Sequence, residues 1–499
     1  MKEIERWSIY ELILPHKIEK GNPFTVRVSA LFTGPDGTQR VDGFYNGHGA
    51  YVIRYMPKEQ GRYTVRVLSE ISALHGKEDS FTAIPAGKGN HGPAVVKGTR
   101  FTYADGSPLF ISGTTAYVWH HRPEEVREQT LESFTRYRFN KIRMLFFPKH
   151  YTGGYNAVNV SYEPPCYPFE GKPGFFDFYR PNSQYFEEFE DRLQELMERD
   201  IFADVILFHP YDFGHWSIDT GMDEDAALFY LKYIIARLAS FRNVWWSLAN
   251  EYDIKMLDTS RMVVGYDVRD WDVIGEFIKA RDPSHLPISC HNIPFGRIYP
   301  DRPWMSHVSY QHPDTYTLLL ELLETYQKPV INDEYQYEGN IIDEWGNSSP
   351  QTMLERHWRS LMAGGYATHG EAFIRDNNRD IFWSYGGEMI GESAPRIAYM
   401  HEIIKSVPLD EMSRDWLNSE GVNYYALSKG FDYYLVFMRY ELKGKALWIG
   451  PYEETVRDNL RYHATYYDIW ECKQIKEEIL TGRITVPITE WTAVVLKRI

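Results

Sequence analysis

The sequence predicts a multidomain α/β plus all-β chain: a central (β/α)8 TIM barrel between an N-terminal immunoglobulin-like β-sandwich and a C-terminal β-sandwich. Three observations predict it. At roughly 150 residues per domain, a chain of 499 residues suits about three domains. Both ends carry short runs of alternating apolar and polar residues, the period of a half-buried strand. The middle holds eight short apolar runs, seven of them followed by a longer amphipathic segment, which is the pattern of parallel β-α-β units.

Residues 1–95 form the first unit. "FTVRVSALF" (24–32), "GAYVIRYMP" (49–57) and "RYTVRVLS" (62–69) alternate with period two, and "GPDGTQ" and "KEQG" mark turns between them. The Gly- and Pro-rich stretch "PAGKGNHGPAVVKG" (85–98) reads as a linker.

Residues 96–412 form the barrel unit. Its strand candidates are "PLFISGTTAYVW", "NKIRMLFF", "FADVILFHPYD", "NVWWSLANEYD", "LPISCHN", "MSHVSYQHPD", "KPVINDEYQYEG" and "YATHGEAFIR". Seven have a clear following helix, such as "PEEVREQTLESFTRYR" after the first and "DEDAALFYLKYIIARLASF" after the third. A long loop (150–182) separates the second strand from its helix. Neither GxGxxG nor GxxxxGKT follows the first strand, so an open nucleotide-binding sheet loses its main support.

From 413 to 499 strand texture returns in "DYYLVFMRY", "KALWIGP", "RYHATYYDIW", "GRITVPI" and "TAVVLKRI". These read as the second sandwich.

Composition narrows the partners. Lys plus Arg number 54 against 69 Asp plus Glu, a formal charge of −15, which argues against nucleic acid or an anionic membrane surface. The opening "MKEIERWSIYELILP" lacks the apolar core of a signal peptide, and no run of about 18 apolar residues occurs. Three scattered cysteines, Cys166, Cys290 and Cys472, form no disulfide framework or CxxC pattern. The expectation is a cytoplasmic protein. Oligomeric state, a homo-oligomer included, is left open.

In a barrel, functional side chains project from the C-terminal ends of the strands. Those positions hold Tyr117, Trp119, His120 and His121 (strand 1), Arg143 (2), His209, Tyr211 and Asp212 (3), Asn250, Glu251 and Asp253 (4), His291 and Asn292 (5), Tyr310, Gln311 and His312 (6), Asp333, Glu334 and Tyr335 (7), and His369, Glu371 and Arg375 (8). Two glutamates are placed alike: Glu251 ends "VWWSLAN" and Glu334 ends "PVIND". Such a pair is what hydrolysis of a glycosidic bond requires. One carboxyl protonates the leaving oxygen, and the other attacks the anomeric carbon or activates water. An isolated strand-end glutamate is as readily an ion-pair partner; two, on strands 4 and 7, with Asn before the first, favour catalysis.

"LANEYD" resembles the strand-4 Asn-Glu motif of clan A glycoside hydrolases, and "VINDEYQYEG" resembles their strand-7 nucleophile segment. The resemblance implies Glu251 as acid/base, Glu334 as nucleophile and Asn250 on the sugar 2-hydroxyl. It also implies Arg143 and Tyr310 as supports of the nucleophile, and His209 as a strand-3 substrate contact, on the looser match "LFHPYD". Over nearly the whole chain, "DGFYNGHGAYVIRYMPKEQGRY", "FTYADGSPLFISGTTAY" and "YYDIWECKQ" resemble sandwich-flanked barrels assigned to glycosidases or collagen-binding-like proteins without an established function.

The reaction so implied is a retaining double displacement on β-linked small oligosaccharides, without a cofactor. Retention predicts carboxyls about 5–5.5 Å apart, against about 6.5–9.5 Å for inversion. Glu334 is then expected ionised, and Glu251 protonated through burial and its negative neighbour. Aromatics make up 16% of the chain, and Trp119, Trp216, Trp304, Trp345 and Trp383 fall on loops after strands, where rings could stack on sugars. Trp383, after strand 8, is the best platform candidate. His312, His369 and Glu371 are read as substrate contacts. Adjacent His120 and His121 diverge on a strand and HExxH is absent, so no catalytic metal is expected. The alternatives are a non-catalytic carbohydrate-binding barrel and, with less support, a metal-dependent barrel hydrolase.

Overall fold

The structure is a computed structural model that describes residues 2–150, 163–216, 218, 221–258, 261–374, 381–415, 424–439, 446–448, 459–481, 483–485 and 489–499. Most of the strand candidate at 445–451, much of the loop at 150–182, and Arg375 lie outside the described residues.

Eight parallel strands form the barrel: β1 (Ser112–Thr115), β2 (Lys141–Leu145), β3 (Phe202–Phe208), β4 (Val244–Ala249), β5 (Ile288–Ser289), β6 (Val308–Gln311), β7 (Val330–Glu334) and β8 (Tyr366–His369). Their ladder runs β5-β4-β3-β2-β1-β8-β7-β6. The ends of that ladder meet where the Ser306 amide donates to the Ile288 carbonyl at 2.9 Å and the Ile288 amide donates to Ser306 Oγ at 2.8 Å. β1 to β4 are buried on both faces, as parallel strands are, and β3 and β4 are accordingly near-continuous apolar runs.

Among the described residues, seven helices of ten residues or more cover the outside: α1 (Glu124–Arg136), α2 (Ser183–Met197), α3 (Glu224–Leu238), α4 (Trp271–Arg281), α5 (Thr317–Tyr326), α6 (Pro350–Ala363) and α7 (Ser393–Ile404). Local sequence sets their limits. Asp223 and Asp270 accept the N–H three residues on and so start α3 and α4. Ser349 followed by Pro350 starts α6, and Gly364 at φ 93° ends it in the left-handed region. α2 buries Tyr185, Phe186, Phe189, Leu193 and Leu196 on one face. Full burial of each such side chain contributes about 1.5–3 kcal/mol, and Leu193→Ala would cost about 2–5 kcal/mol.

The N-terminal unit packs a five-stranded sheet on a three-stranded one. Stacked rings fill the space between them: Tyr10 on Phe81 at 4.2 Å and Phe32 on Tyr55 at 4.4 Å. The predicted linker runs into a hairpin, Ala94–Lys97 with Arg100–Tyr103, whose second strand lies beyond it. Its Phe101 and Tyr103, with Leu109 and Ile111, pack against Phe202, Trp245, Ile331 and Tyr366 at the N-terminal ends of the strands. The hairpin therefore plugs the barrel floor. The C-terminal unit is a six-stranded antiparallel sheet with a separate two-stranded one. Phe437 on one face stacks on Trp358 of α6 at 5.4 Å, while the other face carries its own core around Tyr434, Tyr462 and Leu496.

Candidate active site

Alternation along each strand decides which side chains enter the barrel. In the lower layer, Lys141 Nζ lies 2.6 Å from Asp204 Oδ2 and 2.7 Å from Asp333 Oδ1, all fully buried. Thr368 and Ser309 hydroxyls donate to Asp333, each at 2.6 Å. Burial would raise the Asp333 carboxyl, but the Lys141 and Arg143 charges overcome it and hold it well below the usual carboxylate range. A buried carboxylate with this many donors stays ionised.

The next layer up holds both candidate glutamates. Arg143 Nη1 donates to Glu334 Oε1 and Arg143 Nη2 to Asn250 Oδ1 at 2.5 Å. The Tyr117 hydroxyl donates to the same Glu334 oxygen at 2.5 Å. His291 Nε2 stands 3.4 Å from it, and His291 Nδ1 lies 3.0 Å from Ser309 Oγ, which links the layers. Opposite, the Tyr211 hydroxyl donates to Glu251 Oε2 and accepts from Asn250 Nδ2 at 2.7 Å. Glu251, Asp212 and Gln336, just past or close beyond the ends of β4, β3 and β7, adopt φ of 49°, 62° and 82°. Backbone strain of this kind gathers where a side chain must be aimed against local preference.

The two carboxyls are driven apart electrostatically. Burial raises Glu251, and the charge of Glu334 raises it further. Burial acts on Glu334 in the same sense, but the Arg143 charge, with His291 and Tyr117, overrides it and pulls the group down. One protonated and one ionised carboxyl therefore face each other in one mouth at neutral pH. That is the state an acid and a nucleophile need.

Of the residues singled out in the sequence, Glu251, Glu334, Asn250 and Arg143 come together here. Asn250 has both amide atoms engaged by protein partners. Trp383 stands edge-on to Tyr117 at 5.9 Å and 5.1 Å from Trp345, so these two tryptophans adjoin the carboxyl pair. His209 lies nearly parallel to the Tyr211 ring at 5.6 Å, and burial lowers it to about 4. His312 sits at the rim, with Nδ1 accepting from the Asp314 amide at 3.0 Å and its ring edge-on to Phe295.

Six of the residues singled out stand elsewhere than expected. Tyr310 does not support Glu334: alternation turns it outward from Ser309, and its hydroxyl donates to the Asp314 carbonyl at 3.3 Å. Tyr117, from beyond β1, makes the expected contact instead. His369 also faces outward, since its neighbour Thr368 is the inward residue; it stacks on Phe139 and meets Ser393 Oγ at 3.0 Å. Glu371 accepts the Ile390 and Gly391 amides at 2.9 and 3.0 Å, and Glu338 accepts those of Glu392 and Ser393. The two carboxylates thus clamp four successive N–H groups at the start of α7 and leave the cleft. Trp119 is fully buried against Phe134 of α1. Trp216 and Trp304 are likewise buried, their indole N–H groups held by Asp212 and Asp272.

Tyr117, Tyr211 and His291 were visible as strand-end residues, but nothing local marks them as partners of the carboxyls. Among the described residues, two groups bring three metal-ligating atoms within 4.8 Å: Glu338, His369 and Glu371, and His150, Glu163 and His215. In the first, the carboxylate oxygens are committed to backbone amides. The second lies at the mouth. No helix among the described residues is long and apolar enough to cross a membrane.

A family model described as "Apiosidase-like, catalytic domain" matches residues 96–410, and a domain of unknown function matches residues 3–70. A solved structure from Bacteroides vulgatus ATCC 8482, described as "a putative glycoside hydrolase", is 34% identical over 100% of both chains with a TM-score of 0.89. A family 5 glycoside hydrolase from the same organism shares the fold: 16% identity, 82% of this chain and 92% of that one, TM-score 0.59. No match was found among curated proteins.

Proposed function

The chain belongs to the apiosidase-like family of catalytic domains, and on that premise we propose that this glycosidase cleaves β-glycosidic bonds of small oligosaccharides with retention of configuration. The observation that carries the proposal is the pair of carboxyls held in opposite protonation states within one barrel mouth.

Glu334, ionised and oriented by Arg143 and Tyr117, attacks the anomeric carbon. The carbon–oxygen bond to the leaving group breaks as Glu251 delivers its proton to that oxygen. Tyr211 donates to Glu251 Oε2, which directs the acidic proton to Oε1. In the second step Glu251, now a carboxylate, takes a proton from water, and the resulting hydroxide displaces Glu334. Two inversions give net retention. Arg143 joins Glu334 to Asn250, so the residue beside the acid/base is set by the same guanidinium that holds the nucleophile. Trp383, beside Tyr117, is the proposed floor for the bound sugar.

The test is the anomeric configuration of the first-formed product, followed by proton NMR on a panel of aryl glycosides that includes an apioside. Retention is expected. In Glu251→Ala, added azide should restore turnover of an activated substrate and give a β-glycosyl azide. An inverted product would reject double displacement. Wild-type protein inert to every glycoside yet binding oligosaccharide would favour a non-catalytic barrel.

A further inference from the structure

Beside the carboxyl pair, the mouth holds a cluster that the glycosidase reading does not use. His150 follows β2, His215 follows β3, and Glu163 reaches them from the loop between β2 and α2. Glu163 Oε1 lies 3.2 Å from His150 Nδ1 and 3.0 Å from His215 Nε2. The two imidazoles stack with centroids 3.6 Å apart and planes within 8°. We propose that His150, Glu163 and His215 form a binding site for a divalent transition-metal ion of the zinc class.

Donor spacing is the first argument. Zinc bonds of about 2.0–2.1 Å to nitrogen and oxygen put neighbouring ligand atoms of a tetrahedron about 3.3 Å apart. Both distances to the Glu163 oxygen are near that edge, and all three donor atoms lie within 4.8 Å of one another. Two imidazoles and a carboxylate form a donor set that suits zinc and its neighbours rather than calcium or magnesium, which take oxygen ligands.

Charge is the second. Neutral imidazole is the ligating form, and the Glu163 carboxylate supplies negative charge for a divalent ion. The nearby Lys149 is neutralised by Asp212 at 2.8 Å.

Anchoring is the third. Asp212 Oδ2 accepts from the His150 amide at 2.9 Å and from Trp216 Nε1 at 3.2 Å, and the His215 amide donates to the Asp212 carbonyl at 2.8 Å. One residue thus fixes the backbone of both histidines. The three side chains keep 25, 39 and 19% exposure for His150, Glu163 and His215, so an ion enters from solvent and retains an open position. To meet it, the stacked rings turn about χ2, a broad and soft torsion. Asp212 follows Tyr211, which bonds Glu251, so the ion would tie the loops after β2 and β3 together beside the acid/base.

The experiment uses untagged full-length protein, stripped with EDTA and titrated with zinc by calorimetry. One zinc per chain and a rise in melting temperature are expected. Affinity should weaken at pH 5.5, where protons compete for the imidazoles. The His150→Gln/His215→Gln variant should lose the isotherm while its circular dichroism stays unchanged; Glu163→Gln, at a more exposed position, should weaken binding at least about tenfold. Wild type that takes no stoichiometric zinc, or a folded double variant that keeps wild-type affinity, would overturn the proposal. Binding is read directly, so failure here is distinguishable from failure of the glycosidase reading.

Discussion

The coupling of the two carboxyls can be measured in Glu334→Gln. Glu251 is pushed up to about 8 by burial first and by the charge of Glu334 second. At the separation of about 5.5 Å that retention requires and an effective dielectric of about 20, two unit charges interact by about 3 kcal/mol. That corresponds to about 2 pKa units. Removing the negative neighbour relieves the penalty on ionised Glu251, so its pKa falls, to about 6 by this reckoning. Gln keeps the shape and can still accept from Tyr117 and Arg143, which confines the change to charge. The assay is a titration of glutamate side-chain carboxyls by carbon-13 NMR, with Glu251→Gln to assign the resonance. A Glu251 pKa that stays within about half a unit of wild type would show that burial alone raises it. The acid/base pairing argued from their mutual charge would then fail.

Other outcomes follow from the same geometry. Wild-type kcat/KM should fall as pH rises past about 8, because Glu251 is the acid and loses its proton there; the measurement is a pH–rate profile. Tyr117→Phe removes a hydrogen bond to buried Glu334, about 1.5–3 kcal/mol for a charged acceptor, so kcat/KM should drop roughly 10- to 150-fold. The pKa of Glu334 should rise in the same variant and move the acid limb of the profile upward. Tyr310→Phe should leave that limb unchanged, since its hydroxyl bonds a carbonyl rather than Glu334. Lys141→Met strands Asp204 and Asp333 without their cation, and about 3–5 kcal/mol of destabilisation should appear as a lower melting temperature.

The architecture was legible because periodicity survives in single sequences: two-residue alternation at both ends, and eight apolar runs between. The carboxyls were legible because each directly follows a buried run, where a solvated side chain has no place. Their partners were not, for a geometric reason. Tyr310 pairs with Asn332 across β6 and β7 and alternation turns its side chain away from Glu334, while a slip in register after Tyr310 sets Gln311 opposite Glu334. The supporting tyrosine comes instead from beyond β1, where the Tyr117 amide bonds the Trp383 carbonyl, a contact set by the loop after β8. The same limit applies to Glu371 and His369. Their strand-end positions suggested the cleft, but the start of α7, more than 15 residues on in sequence, claims them.

The hairpin Ala94–Tyr103 has a consequence for the order of synthesis. It leaves the ribosome before any barrel strand, so the floor piece is already present when β1 and its successors arrive. Trp245 of β4, Ile331 of β7 and Tyr366 of β8 come from distant parts of the chain and share one buried cluster with Phe101 and Tyr103 of that early segment. A barrel excised after Tyr103 would lose its floor and expose that apolar ring, even with every strand, helix and site residue retained.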